Sequence, residues 1–142
     1  MSYGQKQSKK YLDKIESFLY NVYSVTVDYA TVFEDCYYHE SSIIEINSRQ
    51  NYTSRVHSLL HEAGHVIIRA QPESEWVRKF PHMKNGSGFI RGNIKHRIDV
   101  LREEVLAWEE AEKLARYLGI ELDLDVYARH RTDALKTYSD WI

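Results

Sequence analysis

The sequence predicts an α+β fold, with a small antiparallel or mixed sheet packed on three to four helices. Three observations carry that prediction. Apolar residues recur at helical spacing near the N-terminus and again in two later stretches. Short alternating, β-branched segments lie between the first and second helical stretches. The resulting order, helix then strands then helices, is that of α+β domains rather than of βαβ repeats.

The first helix is expected over 9–23, where Leu12, Ile15, Phe18, Leu19 and Val22 keep helical spacing. Val25, Val27 and Tyr29 then alternate, as a half-buried strand does. A second strand is expected somewhere in 31–40. A third, over 41–47, is β-branched and ends at Asn47, a turn signal. Asn51 or Thr53 can cap a helix running to residue 70, with Val56, Leu59, Leu60, Ala63 and Ile67 on its inner face. Pro72, Pro81, Gly86, Gly88 and Gly92 crowd into 71–92, which reads as a long irregular excursion. A third helix is expected from about 95 to 118, stopped by Gly119 in a left-handed cap. Asp123 or Asp125 can cap a last helix to about residue 137.

The 142 residues, 43% hydrophobic and 28% charged, suit one domain spanning 1–142. A net charge of -2 excludes a chain that is cationic throughout. One cysteine, Cys36, allows neither an internal disulfide framework nor a multi-cysteine zinc module. The longest apolar runs, such as Val66-Ile67-Ile68, are far too short to span a membrane, and residues 1–10 are polar. A cytoplasmic location is expected.

The chemistry is expected in the second helix. His61-Glu62-Ala63-Gly64-His65 spells H-E-x-x-H. Positions i and i+4 share a helix face, so both imidazoles can reach one ion. Glu62 sits beside that face, placed to act on a water without ligating the metal. Gly64 is expected to keep the helix surface low beside the ion. Apolar flanks on both sides make this a mostly buried helix, where two histidines and a glutamate need a partner.

Zinc with an open fourth position needs a third protein ligand. In the third helix, Leu101, Glu104, Trp108, Ala111, Ala115 and Leu118 share one face, and Glu104 is its only acid. Glu103 falls with Asp99, Glu110, Lys113 and Tyr117 on what reads as a wetter face. Glu104 is therefore the expected ligand, with Glu103 and His96 as alternatives. His57 lies in the same row as His61, but His57 to His65 spans about 12 Å of axis. Three such rings cannot meet at one tetrahedral ion, so His57 is expected behind the site or on the surface.

With these residues in view, the chain resembles the gluzincins, in which H-E-x-x-H is followed by a downstream helical Glu. Glu104-x-x-Ala107-Trp108-x-x-Ala111 resembles the E-x-x-A-[ND]-x-[FL]-A signature of small zinc peptidases of the ImmA/IrrE type, the minigluzincins. The strand and turn before the motif helix look like that group too. Trp108 departs from the usual Asn or Asp, and Glu112 stands where an apolar residue is usual. The H-E-A-G-H string also matches FtsH-type proteases, but no Walker sequence accompanies it. The resemblance implies Zn2+ held by His61, His65 and Glu104, with Glu62 as general base, and a peptide or protein substrate. It further implies that 43–47 is a sheet edge aligning that substrate, which makes Ile44, Glu45 and Ile46 the expected substrate-binding residues.

His96, Tyr117, Tyr127, His130 and Arg131 are unranked candidates for stabilising the oxyanion. The basic segment 78–98, with Arg78, Lys79, Lys84, Arg91, Lys95 and Arg97, reads as a solvated loop or as a lip for an acidic peptide or a phosphate backbone. Trp76, Phe80 and Phe89 are expected to anchor it to the core. The alternative function is a non-catalytic or regulatory zinc module, associated with nucleic acid through this segment.

Overall fold

The computed structural model describes residues 2–83 and 93–141. The chain runs α1 (Tyr3–Tyr23), β1 (Thr26–Ala30), β2 (Cys36–Tyr38), β3 (Ile43–Asn47), α2 (Tyr52–Arg69), α3 (Glu73–Lys79), α4 (Ile94–Tyr117) and α5 (Leu124–Lys136), then a short 3-10 turn, Ser139–Trp141. Among the described residues, five α-helices and a three-stranded mixed sheet make it α+β. Among the described residues, no helix is long and apolar enough to cross a membrane.

α1 begins six residues before the expected start. Ser2 and Gln5 form a reciprocal capping box, each side chain bonding the other's backbone N–H. Leu12, Ile15 and Leu19 are buried, whereas Val22 is exposed, because the helical row leaves the core at its last turn. Ser24, at φ 57°, closes the helix, and Val25 is already buried at the entry to β1.

The strand order is β1-β3-β2. β3 pairs in parallel with β1, from Thr26 opposite Ile43 to Ala30 opposite Asn47. Its other side pairs antiparallel with β2, Cys36 opposite Glu45. The expectation that 43–47 forms the sheet edge is therefore overturned: both its hydrogen-bonding sides are occupied. Ile44 and Ile46, two residues apart on one face of the strand, are fully buried against the helices, and Glu45 is half-buried on the other face. They belong to the core and the sheet interior, not to an open substrate rail. The exposed edge near α2 is β2, which shrinks to three residues of the expected 31–40.

Asn51, not Thr53, caps α2 by accepting from Ser54 N–H. Val56, Leu59, Leu60, Ala63 and Val66 pack into the main core with α1, the sheet and the far end of α4. α2 also crosses α4 closely. A Cβ at Gly64 would overlap the carbonyl oxygen of Ala107. The glycine is thus required by backbone approach between two helices, and not, as expected, by clearance around an ion.

The excursion after residue 70 is not irregular throughout. α3 occupies Glu73–Lys79, and Trp76, Phe80 and Met83 form a second small core with Ile68 and Ala107. Trp76 and Phe80 do anchor this segment. Phe89, Lys84 and Arg91 lie outside the described residues. α4 ends in a Schellman arrangement, Ile120 N–H to the Ala115 carbonyl and Gly119 N–H to that of Arg116, with Gly119 at φ 71°. Asp123 caps α5 through the N–H groups of Asp125 and Val126. Tyr127 fixes α5 to α4 by donating its hydroxyl to the Trp108 carbonyl at 2.7 Å.

Candidate metal centre

The Gly64–Ala107 crossing brings one face of α2 against the middle of α4. Three side chains converge there. His61, His65 and Glu104 each offer a ligand atom, and those atoms all lie within 4.8 Å of one another. His61 Nε2 is 2.9 Å from Glu104 Oε2, and His65 Nε2 is 3.2 Å from Glu104 Oε1. One carboxylate thus faces both imidazoles. Burial opposes charge on Glu104, but the His65 charge and the bonds from His61 and His65 outweigh it. The carboxyl is held well below its usual range. His65 goes the other way. Its burial is more than offset by Glu104 and by the bonds to Glu103 and Glu104, and its pKa rises well above the ordinary value. Two imidazole nitrogens and one carboxylate oxygen form a donor set that fits a borderline divalent ion.

Glu62 is buried beside this group, its Oε1 3.7 Å from His61 Nδ1. Burial raises its pKa, against the pull of His65 and His61. A cleft of about 600 Å³ opens over Glu62, His65 and Glu104, with Cys36 and Tyr37 of β2 on its wall. A second hollow of about 460 Å³ continues past Glu62 and Glu104 toward α5. Burial and the Glu62 charge push the Cys36 thiol up, so Cys36 stands in the cleft as a neutral group.

The helical-wheel reading of Glu103 is corrected. Glu103 is buried, at 4% exposure, and so is Asp99. The N-terminal half of the supposed wet face of α4 is covered by α3 and by the end of α2, whereas Lys113 and Tyr117 farther along are exposed as expected. Glu103 accepts from His65 Nδ1 at 3.0 Å, from Arg69 Nε at 2.7 Å and from Trp76 Nε1 at 3.0 Å. Burial works against its charge. The bonds and charges of His65 and Arg69 win, and hold its pKa down to about 2. It is not in the three-ligand group.

Nor is His96, the other alternative. It is buried and directs Nδ1 at the His82 carbonyl, 3.0 Å away. His57 is buried, not a surface residue. Its Nδ1 is 2.6 Å from His130 Nδ1, and its ring stands edge-on to Tyr127. That pairing explains how a third histidine in the row coexists with the site: it turns toward α5.

The oxyanion candidates sort themselves by their existing partners. Tyr127 is committed to the Trp108 carbonyl and His130 to His57. Tyr117 is 78% exposed and lies edge-on to Phe18. Arg131 lines neither hollow. The residue that sequence reasoning missed is Tyr138. It lines both hollows together with Glu62 and Glu104. Burial raises its hydroxyl pKa, and the charge of Glu104 and a hydrogen bond to it raise it further, so the phenol stays protonated. Beyond the last helix, among 11 tyrosines, it carried no periodicity or motif to mark it.

None of the described residues of the basic segment 78–98 lines either hollow. Compared with protein-family models, with curated proteins and with solved structures, the chain matches none.

Proposed function

We propose that the chain is a zinc-dependent peptidase of the gluzincin type. The observation that supports this most is the convergence of His61, His65 and Glu104 on one point, with Glu62 buried beside them and a cleft opening over Glu62, His65 and Glu104. A purely structural metal site has no use for such a carboxylate or for an open side. His61, His65 and Glu104 would hold the ion. Zinc, when bound, lowers the pKa of a water and polarises a carbonyl.

The protein's own groups do the rest. Glu62, sheltered from solvent, takes a proton from the attacking water and returns it to the leaving amine. Its raised pKa suits it to both halves of that transfer. Tyr138 keeps its proton and donates a hydrogen bond to the developing oxyanion. An extended peptide would align on β2, whose outer edge borders the cleft at Cys36 and Tyr37, because β3 has no free side.

The test is Glu62→Gln. With a mixed-sequence fluorogenic peptide library as probe, it should abolish cleavage by the wild-type chain while retaining zinc. Equal cleavage by both proteins would reject Glu62 as the base.

A further inference from the structure

We propose that Glu103 is a positioning residue for the metal centre, with α3 as its buttress. The inference rests on the metal assignment made above. An imidazole ligates through a ring nitrogen that carries a lone pair, and the hydrogen bond made by the other nitrogen decides which one that is. His65 Nδ1 lies 3.0 Å from Glu103 Oε2. A carboxylate only accepts, so Nδ1 carries the proton. With Nδ1 committed to that proton, Nε2, 3.2 Å from Glu104 Oε1 at the point of convergence, is the nitrogen left to give up its proton to an incoming ion and present the lone pair. Glu103 therefore selects the tautomer of His65 and fixes the plane of its ring.

Glu103 is itself fixed at both oxygens. Oε1 accepts from Trp76 Nε1 at 3.0 Å and from Arg69 Nε at 2.7 Å, and Oε2 accepts from Arg69 Nη2 at 3.2 Å. The Arg69 guanidinium in turn lies over the Trp76 ring, 4.5 Å from its centroid. Trp76 belongs to α3 and is seated against Phe80 in the second small core. The chain of support runs from α3 through Trp76 and Arg69 to Glu103, and from there to His65. The far nitrogen of His61 faces Glu62 Oε1 only at 3.7 Å, beyond hydrogen-bond reach, and Trp108 stacks on its ring instead. The two imidazoles are thus oriented by different means, and α3 becomes part of the support of the metal centre.

A rival explanation is that Arg69–Glu103 merely ties α2 to α4. Zinc affinity separates the two. It is measured on the full chain by competition with a chromophoric chelator, alongside thermal unfolding of the zinc-free protein. Glu103→Gln keeps the shape and removes the charge, and should weaken zinc binding about 10–100-fold. Glu103→Asp, which keeps a carboxylate, should recover part of that loss. Trp76→Phe keeps an aromatic side chain in the small core but deletes one hydrogen bond to Glu103, and should weaken zinc about 3–10-fold. In each weakened variant the visible spectrum of the Co2+-loaded chain should shift. Glu103→Gln binding zinc within two-fold of wild type, with only its melting temperature lowered, would overturn the proposal. If Glu103→Gln does not fold, Trp76→Phe decides: unchanged affinity and an unchanged Co2+ spectrum overturn it equally. A wild-type chain that binds no zinc overturns the metal assignment and this inference together.

Discussion

Trp108 lies flat on His61, with ring centroids 4.3 Å apart and planes 10° from parallel. The indole is 4% exposed, and Tyr127 meets it edge-on and bonds its backbone carbonyl. One imidazole of the candidate metal site therefore rests on a plate held by α4 and α5. Trp108→Ala should destabilise the protein by about 3–5 kcal/mol, the range for a buried aromatic cut to Ala. Trp108→Phe should cost clearly less and keep zinc affinity near wild type. Urea unfolding of the zinc-free proteins, with chelator competition in parallel, checks both.

Gly64 and Ala107 mark the point where α2 and α4 touch. Gly64→Ala places a Cβ against a backbone carbonyl, which cannot rotate away. The helices must part. Destabilisation of about 1–3 kcal/mol is expected from overpacking. Because Glu104 and the two histidines sit on opposite helices, zinc affinity should fall in the same variant. A Gly64→Ala chain with lower stability and unchanged zinc affinity would show that the crossing does not set the ligand spacing.

The reading of the sequence succeeded where one physical rule acted alone. The i,i+4 spacing of His61 and His65, the Asn51 and Asp123 caps and the Gly119 stop are local, and the structure shows each of them. It failed where a second element supplied the rule. The wheel placed Glu103 in water because it assumed that α4 packs on one side only. α3, seven residues long, starting after Pro72 with no capping side chain and mostly exposed, left no periodic trace, yet it covers that side. The status of 43–47 as an edge depended on where β2 paired. A three-residue strand in an irregular stretch does not announce its partner. Tyr138 was invisible for the same reason: its place beside Glu62 and Glu104 comes from how the chain folds back after α5, not from its neighbours in sequence.

The His57–His130 pair predicts acid sensitivity. Burial, and then the nearby His130, lower the His57 pKa from 6.5 to about 4. The folded state therefore binds fewer protons than the unfolded state in that window. The contribution is fully present above about pH 6.5 and is lost as pH falls toward 4. Glu103, held at about 2, adds a further loss at lower pH, between about 4.5 and 2. His65, shifted upward, acts oppositely: its contribution is present below about 6.5 and fades as pH rises through its folded value. The difference between wild type and His57→Phe isolates the first effect. Measured by urea unfolding with chelator present, the wild type should lose roughly 1–3 kcal/mol relative to the variant between pH 7 and 4. Parallel curves would reject the buried-neutral reading of His57.

Tyr138 touches Glu104 but is not a ligand in the three-residue group. Tyr138→Phe should leave zinc affinity within two-fold and lower kcat about 100-fold, the scale of a single oxyanion donor. KM should change little. A kcat equal to wild type would remove Tyr138 from the chemistry.

The metal content of the purified chain tests the central claim most directly. Elemental analysis after exhaustive dialysis should find one zinc per chain in the wild type and in Glu62→Gln, and essentially none in Glu104→Ala or in His61→Ala. A folded wild-type chain without zinc, or a Glu104→Ala chain that keeps it, would contradict the assignment of His61, His65 and Glu104 as the metal site.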